Sequence, residues 1–184
     1  MIERINETQE IGWVVHLGDM KSGIANCRDE DLRGLYELNQ RFIVPFVLTP
    51  GDNDWFDCKR EIAGGWDRLD RLGKLREIFY TEQPALPLVS QGGRGLFGDF
   101  VENVYWQDAG VVFAAVHLTG ISGREGGIDL HNHIQDAAIE WLDQVFDVAM
   151  VNDAAAVFLA TQADIYPFSG ERSWLATECP ACVG

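Results

Sequence analysis

Two apolar segments of this chain run into the same dipeptide, and that repetition narrows the fold more than any other feature. The first reads Val14-Val15-His16-Leu17-Gly18-Asp19-Met20-Lys21-Ser22-Gly23 and the second Phe46-Val47-Leu48-Thr49-Pro50-Gly51-Asp52-Asn53-Asp54-Trp55. Short, nearly unbroken apolar runs suit strands buried on both faces of a sheet. Glycine frees the backbone for a sharp turn at the strand's end, and the aspartate behind it is presented at the sheet's edge. In open α/β sheets, ligands bind beyond the carboxyl ends of the strands. If the strands are neighbours, two carboxylates converge on one spot, which is costly unless a cation sits between them. One Gly-Asp alone reads as a turn whose aspartate caps the next helix. A matched pair points instead to a site for a divalent metal that accepts oxygen ligands.

The remaining pattern predicts an α/β protein. Four β-rich runs stand out, from Trp13 to Leu17, Ile43 to Leu48, Val111 to His117 and Ala155 to Ala160. Helical spacing lies between them. Leu32, Leu35, Tyr36, Asn39 and Phe42 share one face; Trp66, Leu69, Leu72, Leu75, Ile78 and Phe79 recur at three- and four-residue steps; Ala138, Trp141, Leu142, Val145, Phe146 and Ala149 form one stripe. Strand–helix–strand alternation predicts βαβ units: a layered sheet with helices on its outer faces, one domain over residues 1–170 and a tail over 171–184. At 184 residues and 47% hydrophobic content, the chain is long and apolar enough for a sizeable core. No stretch approaches the ~20 apolar residues that span a bilayer. The start, Met1 to Asn6, lacks the basic and apolar regions of a signal peptide.

The formal charge of −15 argues against general nucleic-acid binding. It also means that an anionic substrate needs local positive charge, which a bound metal supplies. Lys21 and Arg94 read either as phosphate-neutralising groups or as ordinary surface charges. The clusters Gly92-Gly93-Arg94-Gly95 and Ser122-Gly123-Arg124-Glu125-Gly126-Gly127 have glycines that suit phosphate, without the Lys and helix start of a P-loop. His131 and His133 form an H-x-H ahead of the third helix, read as metal ligands or as a polar helix start. His16 is a second-shell partner of Asp19 or a satisfied core histidine. Cys179 and Cys182 are half a zinc site at best, or part of a frayed terminus.

Taken together, four blocks resemble a known family. They are His16-Leu17-Gly18-Asp19-Met20-Lys21-Ser22-Gly23 with Cys27, Thr49-Pro50-Gly51-Asp52-Asn53-Asp54-Trp55 with Asp57-Cys58, Val112-Phe113-Ala114-Ala115-Val116-His117, and Gln162-Ala163-Asp164. The chain is similar, over about residues 10 to 168, to the calcineurin-like metallophosphoesterases and more narrowly to a bacterial branch of them. The fold this implies is part of the family's sandwich. The family's two-metal site is built from an Asp-x-His, a Gly-Asp, a Gly-Asn-His-Asp/Glu, a His after a later strand and a Gly-His-x-His. The resemblance implies that Asp19 bridges the metals and that Asp52 replaces the metal-binding asparagine. Asn53 replaces the histidine that assists the leaving group, Asp54 matches the acid that orients that histidine, and Gln162 replaces the later metal-binding histidine. His117 falls on the preceding strand and is not that ligand.

Those replacements change the chemistry. Asparagine donates a hydrogen bond to a phosphate oxygen but is no general acid. A glutamine oxygen binds a transition metal more weakly than imidazole does. The first and last blocks would fall before residue 1 and after residue 184, so the expectation is a domain incomplete at both ends, with an exposed sheet edge. At most one Mn, Fe or Zn ion is expected, weakly held. The implied activity is metal-assisted hydrolysis of a small phosphate ester. The alternative is a non-catalytic, phosphoesterase-like binding protein with a degenerate site. An aspartyl-nucleophile phosphatase would need an Asp-x-Asp on the first strand, and there is none.

Cys27 follows Asp19 by eight residues and Cys58 follows Asp52 by six, which puts both on loops at the same end of the sheet. A disulfide is expected, with two buried thiols as the alternative. It would close a loop of about 30 residues, contribute ~3–4 kcal/mol, and favour a periplasmic or extracellular location.

Overall fold

The computed structural model describes residues 1–82, 84–118 and 128–163, the side chain of residue 128 excepted. In chain order the elements are α1 (Ile2–Asn6), β1 (Val14–His16), α2 (Asp29–Asn39), β2 (Phe46–Leu48), α3 (Asp52–Trp55), α4 (Arg68–Phe79), β3 (Val89–Ser90), β4 (Val104–Asp108), β5 (Val111–Ala115), α5 (Ile128–Val151) and β6 (Ala156–Ala160). Short 3₁₀ turns at Phe56–Lys59 and Glu61–Ala63 join α3 to α4, and a third covers Gly95–Phe97.

The chain is α/β, as expected, but its strands form two sheets. β1 and β2 pair in parallel, with Val14 opposite Phe46 and His16 opposite Leu48. The second sheet has the order β3-β4-β5-β6; β5 and β6 are parallel, while β3-β4 and β4-β5 are antiparallel. Both βαβ units therefore exist, one in each sheet. The β4-β5 hairpin was missed because Val104-Tyr105-Trp106-Gln107-Asp108 is short and ends in polar residues. The turn between its strands is Ala109-Gly110, both at positive φ (47° and 78°), a conformation that sets up a two-residue hairpin.

The sheets face each other. Val47, Val104, Trp106 and Ala115 are buried together, with Trp13 and Val15 packed against them. The Trp13 ring meets Trp106 edge-on at 5.8 Å and Phe113 at 5.1 Å. Buried Thr49 stitches the layers further by donating to the Val116 carbonyl at 2.9 Å. The other face of the larger sheet presents Val112, Ala114 and Val116 to Ala138, Trp141 and Val145 of α5. A third cluster joins Leu32 of α2, Leu72, Leu75 and Ile78 of α4, Trp55, Phe56, Phe100 and the start of α5.

Two helix faces depart from the expected stripes. Phe146 is 50% exposed and Leu69 59% exposed. On α4 the buried place goes to Arg71, which stacks over the Trp66 ring at 4.5 Å and donates to the Cys27 carbonyl at 2.9 Å. A guanidinium on an aromatic face, with its donors satisfied, buries as well as an aliphatic chain would there. Among the described residues, no helix is long and apolar enough to cross a membrane.

Candidate functional site

Both Gly-Asp turns lie at the carboxyl ends of adjacent parallel strands, and they touch. A Cβ on Gly18 would collide with the backbone nitrogen of Gly51, and one on Gly51 would collide with the Asp19 carboxylate. Only Gly18 needs glycine for its dihedral angle, with φ at 73°. Gly51 is extended, with φ −96°, so its glycine serves close approach rather than the sharp turn expected from the sequence. Asp19 also adopts a positive φ of 54°, a strained state that aspartate tolerates better than most residues.

Asp54 holds this arrangement. Its carboxylate is fully buried and accepts from the backbone nitrogens of Asp19 (2.9 Å), Met20 (2.8 Å) and Gly51 (2.9 Å). One side chain thus binds both turns and pins the strained residue. Burial pushes the Asp54 carboxyl above the usual range, against the pull of those three amides. The sequence expectation had Asp54 orienting the residue at 53; here it orients the main chain of the two aspartates instead.

Asp19 and Asp52 come within hydrogen-bonding reach of each other. Partial burial raises the Asp52 carboxyl above its ordinary value, and the charges of Asp19 and Asp57 raise it further. The Asn53 backbone N–H donates to Asp19 Oδ1 at 3.3 Å, and the Gln162 amide nitrogen donates to Asp19 Oδ2 at 3.3 Å. The structure therefore brings together Asp19, Asp52, Asn53, Asp54 and Gln162 from the two strand ends and the end of β6. Sequence reasoning gave no role to Asp57, which is buried, or to its ion-pair partner Arg60 at 2.7 Å. Their signal was present: both follow Asp52 within eight residues, on the turns leading out of α3.

The other candidates sit less centrally. Burial lowers the Lys21 ammonium despite nearby Asp54, Asp57 and Asp19. The half-buried His16 ring lies 6.0 Å from that of Phe46, and among the described residues its buried Nδ1 has no hydrogen-bond partner, Asp19 included. Arg94 donates to the Ser90 carbonyl at 2.8 Å, within its own loop. Gly92 to Gly95 fold into a turn closed by Gly93 N–H to the Gly98 carbonyl, 2.8 Å. His131 and His133 lie inside α5 rather than ahead of it, and residues two apart on a helix point in different directions. His133 instead packs its ring against Phe97 and Phe100. The second glycine cluster, Asp164, Cys179 and Cys182 lie outside the described residues.

Cys27 and Cys58 form a disulfide with a sequence separation of 31, as expected. Both are fully buried with Ala63, and the bond ties the loop after β1 to the turn after α3, the two segments that follow the paired aspartates.

A second acid cluster was invisible in the sequence. Glu102, fully buried, receives Arg76 through both carboxylate oxygens (2.9 and 2.7 Å) and the His117 ring at 2.7 Å. Burial opposes ionisation of Glu102, yet the bonds from His117 and Arg76 hold it below the usual range. Asn103, Gln91 and the His117 backbone continue the network inward.

The groups here that could hold a hard or borderline cation are the Asp19 and Asp52 carboxylates and the oxygen of the Gln162 amide, whose nitrogen is the atom facing Asp19. Among the described residues there is no group of three or more His, Cys, Asp and Glu side chains that could hold a metal ion. Comparison of the chain with protein-family models, curated proteins and solved structures returned no match.

Proposed function

We propose that this chain is a metal-dependent hydrolase of phosphate esters, of the calcineurin-like metallophosphoesterase kind, working with one divalent ion (Mn, Fe or Zn) rather than a full two-metal centre. The observation that supports it most is the juxtaposition of Asp19 and Asp52 across two mutually contacting turns. Two carboxylates held this close repel each other, and a cation removes the repulsion. Asp19 and Asp52 would hold the ion, with Gln162 as a weaker third ligand. A divalent ion in that place supplies Lewis acidity, acidifying water and offsetting charge on the phosphoryl group. The protein's own part is positional. Asp54 fixes the two turns, the disulfide fixes their loops, and Asn53 is placed to donate to the substrate.

A periplasmic or extracellular location belongs to the same proposal, supported by the buried disulfide, which favours an oxidising compartment. A second reading has one observation in its favour. The side chains at 53 and 162 are both amides, which do not gain or lose a proton near neutral pH and so serve as neither general acid nor general base. A binding protein with this fold would keep the metal and the anion but not the turnover.

The experiment is an aryl-phosphate assay of the purified chain with Mn²⁺, Zn²⁺ and chelator. Metal-dependent, multiple-turnover phosphate release that disappears in Asp52→Ala supports the hydrolase. Metal binding without turnover supports the binding protein, and absence of both removes the proposal.

A further inference from the structure

Among the described residues, β2 pairs along one edge only, with β1. In that pairing Val14 N–H donates to the Pro45 carbonyl at 2.9 Å, and Thr49 N–H to the His16 carbonyl at 3.0 Å. Pro45, Val47 and Thr49 therefore turn their backbone groups toward β1, and alternation turns those of Phe46 and Leu48 the other way. Tyr80 marks that second edge, since its hydroxyl donates to the Leu48 carbonyl at 3.0 Å. The Phe46 carbonyl and the Leu48 N–H have no hydrogen-bond partner among the described residues, although Leu48 is only 4% exposed. A buried backbone donor without a partner is costly, and such groups are nearly always satisfied by something. Phe46, Leu48 and Tyr80 line one cavity of about 250 Å³. Its walls also carry two aromatic pairs, Phe42 stacked on Phe46 at 5.4 Å and Tyr36 edge-on to Phe79 at 5.5 Å.

We propose that this cavity binds the ring of an uncharged nucleobase or nucleoside, with its pairing edge set against β2. The ring accepts from the Leu48 N–H and donates to the Phe46 carbonyl, while aromatic side chains take its faces. Flat rings that carry a donor beside an acceptor are recognised in this way, by stacking and by edge hydrogen bonds. Size points to one small ring system, since drug-sized ligands fill clefts of about 300–1,000 Å³. Charge points the same way. Glu82, which accepts from the Tyr36 hydroxyl at 3.3 Å, puts a carboxylate on the cavity wall, and the chain carries a formal charge of −15. A nucleotide phosphate is repelled there. A peptide strand would need more of the edge than remains, because Tyr80 already occupies the Leu48 carbonyl. The carboxylate pair follows the other end of β2, so this site is independent of the metal-hydrolase reading.

The test is an NMR titration of the metal-free protein with 9-methyladenine, 9-methylguanine, 1-methylcytosine and 1-methyluracil, and with the matching nucleosides and nucleoside monophosphates. At least one base or nucleoside should bind saturably, shift the Leu48 amide resonance and slow its hydrogen exchange. Methylating the pairing edge of that ligand should weaken it about tenfold or more, the scale of a buried hydrogen bond left unmade. Phe42→Ala should weaken it roughly fivefold, the scale of one aromatic stacking contact. Its monophosphate should bind more weakly than the nucleoside. The proposal is overturned if no base or nucleoside binds, if one binds without moving the Leu48 amide, or if the edge-methylated ligand or the monophosphate binds as well. A capped Thr-Val-Thr peptide that shifts Leu48 where no base does would make this edge a strand-addition site, and would overturn it too.

Discussion

Among the described residues, the carboxylate cluster at Glu102 and the one at Asp19 and Asp52 have surroundings that differ in kind. Glu102 is fully buried, yet both of its oxygens are engaged by Arg76 and one also by His117. Its charge is held below the usual carboxylate range in spite of burial. Asp52 is only partly buried, yet it is pushed above that range, because burial and then the charges of Asp19 and Asp57 act on it. The deeper acid is the stable one. The difference lies in the partner: one cluster has its cation built into the chain, and the other has two carboxylates converging with, among the described residues, no side-chain cation paired to either. Under the function proposed above, a cation from solution fills in the second cluster the place that Arg76 holds in the first.

The comparison can be broken first at the completed cluster. Glu102→Gln keeps the volume but leaves Arg76 facing no charge, so unfolding in urea should show a loss of about 3–5 kcal/mol. A loss under 1 kcal/mol would mean that Glu102 is no structural ion pair.

Next comes the staple between the segments that follow the carboxylate pair. Cys27→Ser with Cys58→Ser should cost about 3–4 kcal/mol, from the loop of 31 residues it closes. Because the bond ties only the site loops, Mn²⁺ affinity should fall as well, whereas Glu102→Gln should leave affinity intact in protein that remains folded. Equal effects of both changes on Mn²⁺ would erase the distinction between the two ends.

Asp54→Asn sharpens it further. An amide has one acceptor oxygen for three backbone donors and turns its own N–H groups toward them. The expected cost is about 2 kcal/mol, with loss of the Mn²⁺ site. Retained Mn²⁺ binding would show that Asp54 does not position the pair.

The smallest effect has the opposite sign. In metal-free protein at neutral pH, Asp52→Asn removes a like-charge contact and should stabilise by about 1 kcal/mol, the scale of two charges ~4 Å apart in water. The pH profile separates the clusters. Glu102 has a lowered folded pKa, so its contribution is present above the unfolded value of ~4.3 and is lost as pH falls through the folded one. Asp52 has a raised folded pKa, so its contribution is present below ~3.9 and is lost as pH rises through the folded value. Urea midpoints across pH 2–7 should therefore lose their acid limb in Glu102→Gln and gain at neutral pH in Asp52→Asn.

What could be read from the sequence follows from what is local. The Gly-Asp repeat, the four strand runs and the α5 stripe depend on neighbours along the chain, and so does the expectation that Cys27 and Cys58 meet. The Glu102 cluster depends on α4, the start of β4 and the end of β5 meeting in space, and no periodicity marks Arg76, Glu102 and His117 as partners. The same holds for the split into two sheets, which the facing of Trp13 and Trp106 decides. Asp54 was singled out for the right place and the wrong contact: its motif marked it as acidic and next to Asn53, while its three amide partners belong to turns 34 and 35 residues away as well as its own.

The direct test is calorimetric titration of Mn²⁺ into chelator-stripped wild type and into Asp52→Asn, at neutral pH. The expected result is one ion bound by wild type, with raised thermal stability, and no measurable binding by the variant. Wild type that takes up no Mn²⁺ or Zn²⁺, or an Asp52→Asn protein that binds as tightly as wild type, would contradict the assignment of Asp19 and Asp52 as a cation site.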